Sequence, residues 1–113
     1  PDMVGHTGDL AATITAVETV DRCVGILAKT VTESDGQMLV TSDHGNCEIM
    51  WDQAKASPHT THTNNPVPLI LVNGNANTCL APGRLADIAP SILAMMGIAQ
   101  PHRMTGKSLL KPN

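Results

Sequence analysis

Aromatic residues are almost absent from this sequence of 113 residues. It contains one Trp, no Phe and no Tyr, which excludes a core built on aromatic packing. Aliphatic side chains must fill the interior, and the six Met serve as adaptable filler among them. A chain of this length forms one domain at most.

Positive charge is also scarce, with seven Lys and Arg against ten Asp and Glu and a net charge of −3. The basic residues do not cluster along the sequence, so the electrostatic signature of a nucleic-acid-binding protein is missing. No apolar run approaches the roughly 18 residues of a membrane span, and no signal peptide is recognisable. We therefore expect a soluble cytoplasmic protein that binds neither nucleic acid nor membrane.

Cysteine is rare and irregularly placed. Cys23, Cys47 and Cys79 are odd in number and far apart, with neither CxxC spacing nor the pattern of a disulfide framework. They predict free thiols in a reducing compartment. The sequence also lacks an initiator Met and opens on Pro1-Asp2, so we expect a piece of a longer protein.

Apolar periodicity predicts one long helix and one short helix. Apolar residues recur at helical spacing over residues 10–31, and Thr7 or Asp9 is placed to cap the free amides. The second helix is expected to begin at Asp87 and to end at Gly97, a residue type that commonly stops helices.

Two short apolar runs, at residues 37–41 and 67–72, predict strands. Residues 52–66 and 73–83 read as loops, and residues 100–113 as an irregular tail. The order helix, strand, strand, helix indicates an α/β fold with an incomplete sheet, because two strands alone are marginally stable. The missing strands must come from the rest of a parent chain or from a partner.

Asp43 and His44 directly follow the predicted strand at residues 37–41. Sites in α/β proteins lie beyond the carboxyl ends of strands, and Gly45 permits the sharp bend that would turn both side chains to one centre. A carboxylate with an imidazole suits Mn, Zn, Fe or Co better than Mg. Taken alone, the pair favours a turn residue and a surface histidine over a site.

Further candidate ligands occur at two other places. Asp2 and His6 are four residues apart and can reach a shared ion, and either His59 or His62 could complete a three-ligand site. Each group alone is more often solvated than ligating. Together with Asp43 they supply most of two metal shells, and two divalent ions clamp the attacking and leaving oxygens of a phosphoryl group. With no G-x-S-x-G elbow and no Walker loop, the residues predict part of a two-metal phosphoryl-transfer enzyme.

Four blocks of sequence resemble one family, the cofactor-independent (2,3-bisphosphoglycerate-independent) phosphoglycerate mutases. They occur in the family's order over nearly the whole chain: residues 1–8, 41–46, 62–68 and 85–90. The resemblance implies that residues 1–113 are a C-terminal piece of an alkaline-phosphatase-like three-layer α/β/α domain with an incomplete sheet. The transferase domain and the N-terminal segment that carries the nucleophile would then be absent.

The resemblance also implies the roles of the candidate ligands. Asp2, His6 and His62 match the family's ligands for one manganese ion, and Asp43 and His44 match ligands for the second. Zn²⁺, Co²⁺ or Mg²⁺ are possible substitutes for the two Mn²⁺. By the same match, His59 falls outside the ligand set.

The family interconverts 3-phosphoglycerate and 2-phosphoglycerate through a phosphoserine intermediate. Its nucleophilic serine and substrate-binding arginines lie in segments that precede this one, so none of Ser42, Ser57, Ser91 and Ser108 is expected to be the nucleophile. The expected partners are therefore the remainder of the parent chain and, for the full-length enzyme, phosphoglycerate. The fragment alone is expected to be inactive.

Three other interpretations remain open. The ligand pattern is shared by other members of the superfamily, such as phosphopentomutase, phosphatases and sulfatases. The chain could instead be a non-catalytic metal-binding or assembly module, or a protein with no metal function.

Overall fold

The structure is a computed structural model that describes residues 1–112. The chain divides into two compact units, Pro1–Val72 and the residues from Asn73 onward. Across residues 1–112, no helix combines the length and the apolar character needed to cross a membrane.

Two helices open the first unit. Helix α1 spans Asp2–Gly5, and helix α2 spans Leu10–Glu33. The Asp9 carboxylate accepts a hydrogen bond of 2.9 Å from the backbone N–H of Ala12, which satisfies one of the free amides at the start of α2. The predicted long helix and its cap are confirmed.

The two predicted strands are confirmed to within two residues. Strand β1 spans Met38–Thr41 and pairs in antiparallel fashion with strand β4, Leu69–Val72, in the register that sets Thr41 opposite Leu69. Antiparallel pairing brings the end of β1 beside the start of β4. The loop that follows β1 therefore meets the segment that precedes β4.

The region predicted as a loop at residues 52–66 is only partly one. Strand β2, Trp51–Asp52, pairs with strand β3, Ser57–Pro58, as a short hairpin. The Asp52 carboxylate accepts from the N–H groups of Ala54 and Lys55, and these bonds hold the turn. The prediction missed this hairpin because the side chain of Asp52, the last residue of β2, organises the turn in place of an apolar pattern.

The second unit contains strand β5, Thr78–Leu80, paired antiparallel with strand β6, Leu110–Pro112. The predictions of a loop at residues 73–83 and an irregular tail at 100–113 are therefore wrong where these strands form; Asn113 lies outside the described residues. The two strands are three residues each, and neither shows periodicity that a sequence reading could detect.

Between these strands a 3₁₀ helix, Leu85–Asp87, leads into helix α3, Ile88–Met95. Gly97 adopts φ +67°, in the left-handed region, just after the helix ends, as predicted. The side chain of Asp87 does not cap α3. Both of its oxygens accept other hydrogen bonds instead, Oδ2 from the backbone N–H of Arg84 at 2.8 Å and Oδ1 from that of Lys107 at 2.9 Å.

Little of the apolar surface is covered. Among residues 1–112, the buried apolar side chains are Leu109, at 7% exposed, and Pro90. Large apolar side chains along α2 are between 41% and 67% exposed: Leu10, Ile14, Val17, Val20, Ile26 and Leu27. The α/β content agrees with the sequence prediction, and the two-stranded β1–β4 sheet is incomplete as expected.

Candidate metal centre

Asp2 and His6 lie at the two ends of α1, four residues apart, so one helical turn sets both side chains on the same side. The Nε2 atom of His6 lies 3.3 Å from Oδ1 of Asp2. On the other side of the ring, Nδ1 lies 2.7 Å from the carbonyl oxygen of Thr60. A carbonyl only accepts, so Nδ1 carries a proton and Nε2 is the ring nitrogen that faces Asp2.

His62 approaches this pair from the segment before β4. Its Nε2 atom lies 3.1 Å from Oδ1 of Asp2 and 3.1 Å from Nε2 of His6. The ligand atoms of Asp2, His6 and His62 all lie within 4.8 Å of one another. The structure thus brings together three residues that the sequence analysis assigned to one ion.

The geometry of this three-residue group fits a transition-metal ion. A metal with ligand bonds of about 2.1 Å holds neighbouring ligand atoms roughly 3.0–3.4 Å apart, for angles between octahedral and tetrahedral. The separations here are 3.1, 3.1 and 3.3 Å. A cation bound here would lie between the Asp2 oxygen and the Nε2 lone pairs of neutral imidazoles, and it would offset the repulsion between them.

Asp43 and His44 follow β1 and border the same group. Nε2 of His44 lies 4.0 Å from Oδ1 of Asp2 and 3.6 Å from Oδ1 of Asp43. The rings of His44 and His62 stack with centroids 3.5 Å apart and an angle of 17° between the planes. The Asp43 side chain is 85% exposed, so Asp43 and His44 could supply only part of the ligands of a metal ion, on a side that is open to solvent.

Asn46 orients Asp2, and the sequence analysis did not identify it. Asn46 is 6% exposed, and its side-chain amide donates to Oδ1 of Asp2 at 2.7 Å and to the Asp2 carbonyl at 3.3 Å. The Asn46 hydrogen bond, followed by the neighbouring imidazoles, holds the pKa of Asp2 below its usual value. The carboxylate therefore stays ionised and keeps a fixed direction. In the sequence, the one feature that pointed to Asn46 was its place in the 41–46 block.

Glu48 is the second residue that the sequence analysis missed. Its carboxylate accepts from the Thr63 hydroxyl, from the Asn65 side-chain amide at 3.1 Å and from the Asn46 backbone N–H at 2.7 Å. These hydrogen bonds, with the Thr63 hydroxyl first, lower the pKa of Glu48. No motif or spacing pointed to this residue, because the two side chains that donate to it, Thr63 and Asn65, are remote in sequence.

Two glycines leave room for these contacts. A β-carbon on Gly5 would collide with the Asn46 side chain, and one on Gly45 would collide with the Thr63 hydroxyl and the Glu48 carboxylate. The backbone N–H of Thr63 also donates to the Gly45 carbonyl at 2.9 Å. The two ligand-bearing segments touch at Gly45 because it has no side chain, which is a different reason from the bend that the sequence suggested.

His59 and Ser42 make local contacts and do not join the candidate ligands. The convergent group leaves out His59, whose Nε2 lies 3.3 Å from the Thr61 hydroxyl and whose buried Nδ1 has no hydrogen-bond partner among the described residues. Ser42 donates to the His44 carbonyl at 2.8 Å and so stabilises the loop after β1.

Comparison with known proteins gives consistent matches. The sequence profile of the Metalloenzyme superfamily matches residues 1–100. The chain is similar to proteins named 2,3-bisphosphoglycerate-independent phosphoglycerate mutase. The one from Cereibacter sphaeroides is 58% identical over 97% of this chain and 22% of its own length. The one from Syntrophotalea carbinolica is 55% identical over 100% and 22%.

A solved structure agrees with these relatives. The chain superposes on Leishmania mexicana phosphoglycerate mutase, crystallised at low cobalt concentration, with a TM-score of 0.82 and 32% identity, over 99% of this chain and 23% of that one. The chain thus spans about 22% of the length of the curated relatives that it matches. The resemblance drawn from four sequence blocks and the fold class are confirmed.

Proposed function

This chain belongs to the Metalloenzyme superfamily, and we propose that it is the carboxy-terminal segment of the phosphatase domain of a cofactor-independent phosphoglycerate mutase. The observation that carries the proposal is the convergence of Asp2, His6 and His62 within 4.8 Å. The similarity to proteins of that name, at 58% identity for one of them, supports it. Below, the full-length protein of which this chain would be a segment is called the parent protein.

In this proposal Asp2, His6 and His62 hold one Mn²⁺, and Asp43 with His44 supplies part of the shell of a second. Zn²⁺, Co²⁺ and Mg²⁺ are possible substitutes. The two imidazoles favour a transition metal over Mg²⁺, which prefers an all-oxygen shell. When bound, such ions lower the pKa of a hydroxyl nucleophile and offset charge on phosphoryl oxygens.

The residues of this chain prepare the site rather than perform the bond-making step. The Thr60 carbonyl fixes the tautomer of His6, and Asn46 fixes the direction of the Asp2 carboxylate. Because these ligands are already held in place, the site does not have to reorganise when charge develops during phosphoryl transfer. The parent protein would interconvert 3-phosphoglycerate and 2-phosphoglycerate in glycolysis and gluconeogenesis, with a serine outside this chain as the nucleophile.

The remainder of the parent protein is the proposed partner of this segment. The β1–β4 sheet has two strands, and Ile26 and Leu27 of α2 are 67% and 57% exposed. A two-stranded sheet and a long apolar helix face are marginal without further packing. Additional strands and helices of the parent would cover this surface, which accounts for the small buried core of the segment.

The test compares the parent protein with this chain, both assayed for conversion of 3-phosphoglycerate in the presence of Mn²⁺. We expect activity from the parent, a loss of at least about 100-fold in its His62→Ala variant, and none from the 113-residue chain alone. The His59→Ala variant serves as the matched control and should retain most activity. A parent that turns over a phosphopentose but not phosphoglycerate, or turnover by the isolated chain, would contradict the proposal.

A further inference from the structure

We propose that Glu48 is a positioning residue that joins the two segments carrying the metal ligands and thereby sets the affinity of the Asp2–His6–His62 group for its ion. The inference rests on the metal site of the proposed function and adds a residue to it. Glu48 contacts neither substrate nor ion in this account.

The first half of the junction is made by one carboxylate oxygen. Oε1 of Glu48 accepts from the Thr63 hydroxyl and, at 3.1 Å, from the side-chain amide of Asn65. Thr63 directly follows His62, so this oxygen holds the backbone that presents the His62 imidazole. The Thr63 N–H donates to the Gly45 carbonyl at 2.9 Å, and this second hydrogen bond also holds the segment that contains His62.

The other oxygen makes the second half. Oε2 of Glu48 accepts from the backbone N–H of Asn46 at 2.7 Å. The side chain of Asn46 donates in turn to Oδ1 of Asp2 at 2.7 Å. One carboxylate therefore lies between two ligands of the same group: it reaches Asp2 through Asn46 and His62 through Thr63.

These contacts favour positioning over two simpler roles for an acidic residue. Glu48 forms no ion pair with a Lys or Arg anywhere in residues 1–112, so its charge is not used in a salt bridge. It is also outside the convergent ligand group, and both of its oxygens already accept hydrogen bonds. Charge-assisted acceptors make the stronger hydrogen bonds, which suits a junction that must hold two segments in register.

The test uses cobalt titrations of the parent protein, followed by calorimetry and by the visible absorption of bound Co²⁺, with His62→Ala marking the signal of this site. We expect Glu48→Ala to weaken Co²⁺ binding at the site by about 10–100-fold, the usual cost of losing an outer-shell partner. Glu48→Gln, which keeps an acceptor for one segment only, should fall between wild type and Glu48→Ala. Glu33→Ala, an equal charge change at the end of α2, is the matched control and should bind as wild type.

A pair of substitutions at Thr63 separates positioning from charge. Thr63→Val removes the hydroxyl donor without altering charge and should weaken binding and shift the Co²⁺ absorption, whereas Thr63→Ser keeps the donor and should restore both. The pair also carries the test if Glu48→Ala fails to fold. Wild-type binding by Thr63→Val would overturn the inference, as would equal losses in Glu48→Gln and Glu48→Ala, or no Co²⁺ signal that depends on His62.

The inference and the proposed function fail separately. Mutase activity with a Co²⁺ site insensitive to Glu48 and Thr63 would overturn the role of Glu48 and leave the enzyme assignment in place. A Co²⁺ site that responds as expected, in a parent protein without mutase activity, would support Glu48 and overturn the assignment.

Discussion

The Nε2 atom of His62 lies 3.1 Å from Oδ1 of Asp2, although most of the first unit separates the two residues in sequence. The antiparallel register sets Leu69, the first residue of β4, opposite Thr41, the last residue of β1. The segment that precedes β4 and contains His62 therefore lies near the loop that follows β1. The bridge between Gly45 and Thr63 completes the approach. Strand pairing thus brings His62 to the loop after β1, and the hydrogen bond from Asn46 brings Asp2 to the same place.

His62→Ala should weaken Mn²⁺ binding to the parent protein by at least about tenfold, since one of three protein ligands is lost from the group. Titration calorimetry measures the change. The expected result is loss of the tighter phase of the isotherm, while the folded state, followed by circular dichroism, is retained.

The control for that experiment is His59→Ala, which removes a histidine from the same loop outside the ligand group. We expect its Mn²⁺ isotherm to match wild type within about threefold, well below the cost of losing an outer-shell partner. A larger loss in His59→Ala than in His62→Ala would show that the wrong histidine has been assigned to the site.

Asn46→Asp should reduce Mn²⁺ affinity by about 10–100-fold. The substitution replaces the donor to Asp2 with a second carboxylate at the same position, so Asp2 loses its orienting hydrogen bond and gains a like charge. The matched control is Asn75→Asp, the same chemical change at an exposed position of the second unit. If the two variants bind Mn²⁺ alike, Asn46 does not orient Asp2.

Gly45→Ala and Gly25→Ala should change stability in opposite directions. A β-carbon on Gly45 collides with Thr63 and Glu48, and such overpacking costs about 1–3 kcal/mol. A β-carbon on Gly25, within α2, meets nothing within 4 Å and should stabilise the helix by roughly 0.5–1 kcal/mol. Urea unfolding of the 113-residue chain measures both values. Equal effects would contradict the close approach at Gly45.

The second unit should lose stability in acid through Asp87. The backbone N–H groups of Lys107 and then Arg84 hold the pKa of Asp87 below its usual value, near 3.9. The folded state therefore binds this proton less readily than the unfolded state, and the stabilisation is present above about pH 4 and lost as pH falls through the lowered pKa. Urea midpoints measured from pH 6 down to pH 2 should show the loss.

Asp87→Asn is the variant that isolates this contribution. It cannot ionise, so its urea midpoint should be lower than wild type at pH 6 and the difference should shrink towards pH 2. Asp35→Asn, a change at the exposed turn after α2, is the control and should follow the wild-type curve. A difference between Asp87→Asn and wild type that is independent of pH would contradict the role assigned to the carboxylate.

Local features of the fold were predictable from sequence. The start of α2 followed from Asp9 and the apolar spacing, and β1 from a run of apolar residues bounded by turn signals, because both signals act over a few residues. The strands β5 and β6 were not predictable. Each strand has three residues, too few for a recognisable pattern, and each is defined by its pairing with the other, which sets Thr78 opposite Pro112 in the folded chain.

The sequence by itself determined the ligand chemistry, two carboxylates and several imidazoles beside glycines, since donor atoms are properties of single residues. It also determined helix α2 and strand β1, which Asp43 and His44 follow, because these elements depend on local periodicity. The short helix α1 that carries Asp2 was not predicted. Residue types and spacing left His59 and His62 as alternatives, and the family resemblance alone favoured His62. The tertiary structure decided that His62 lies beside Asp2 and that Asn46 and Glu48 support the group. Those choices depend on strand register and on close approach at Gly45, which are long-range contacts that no local pattern encodes.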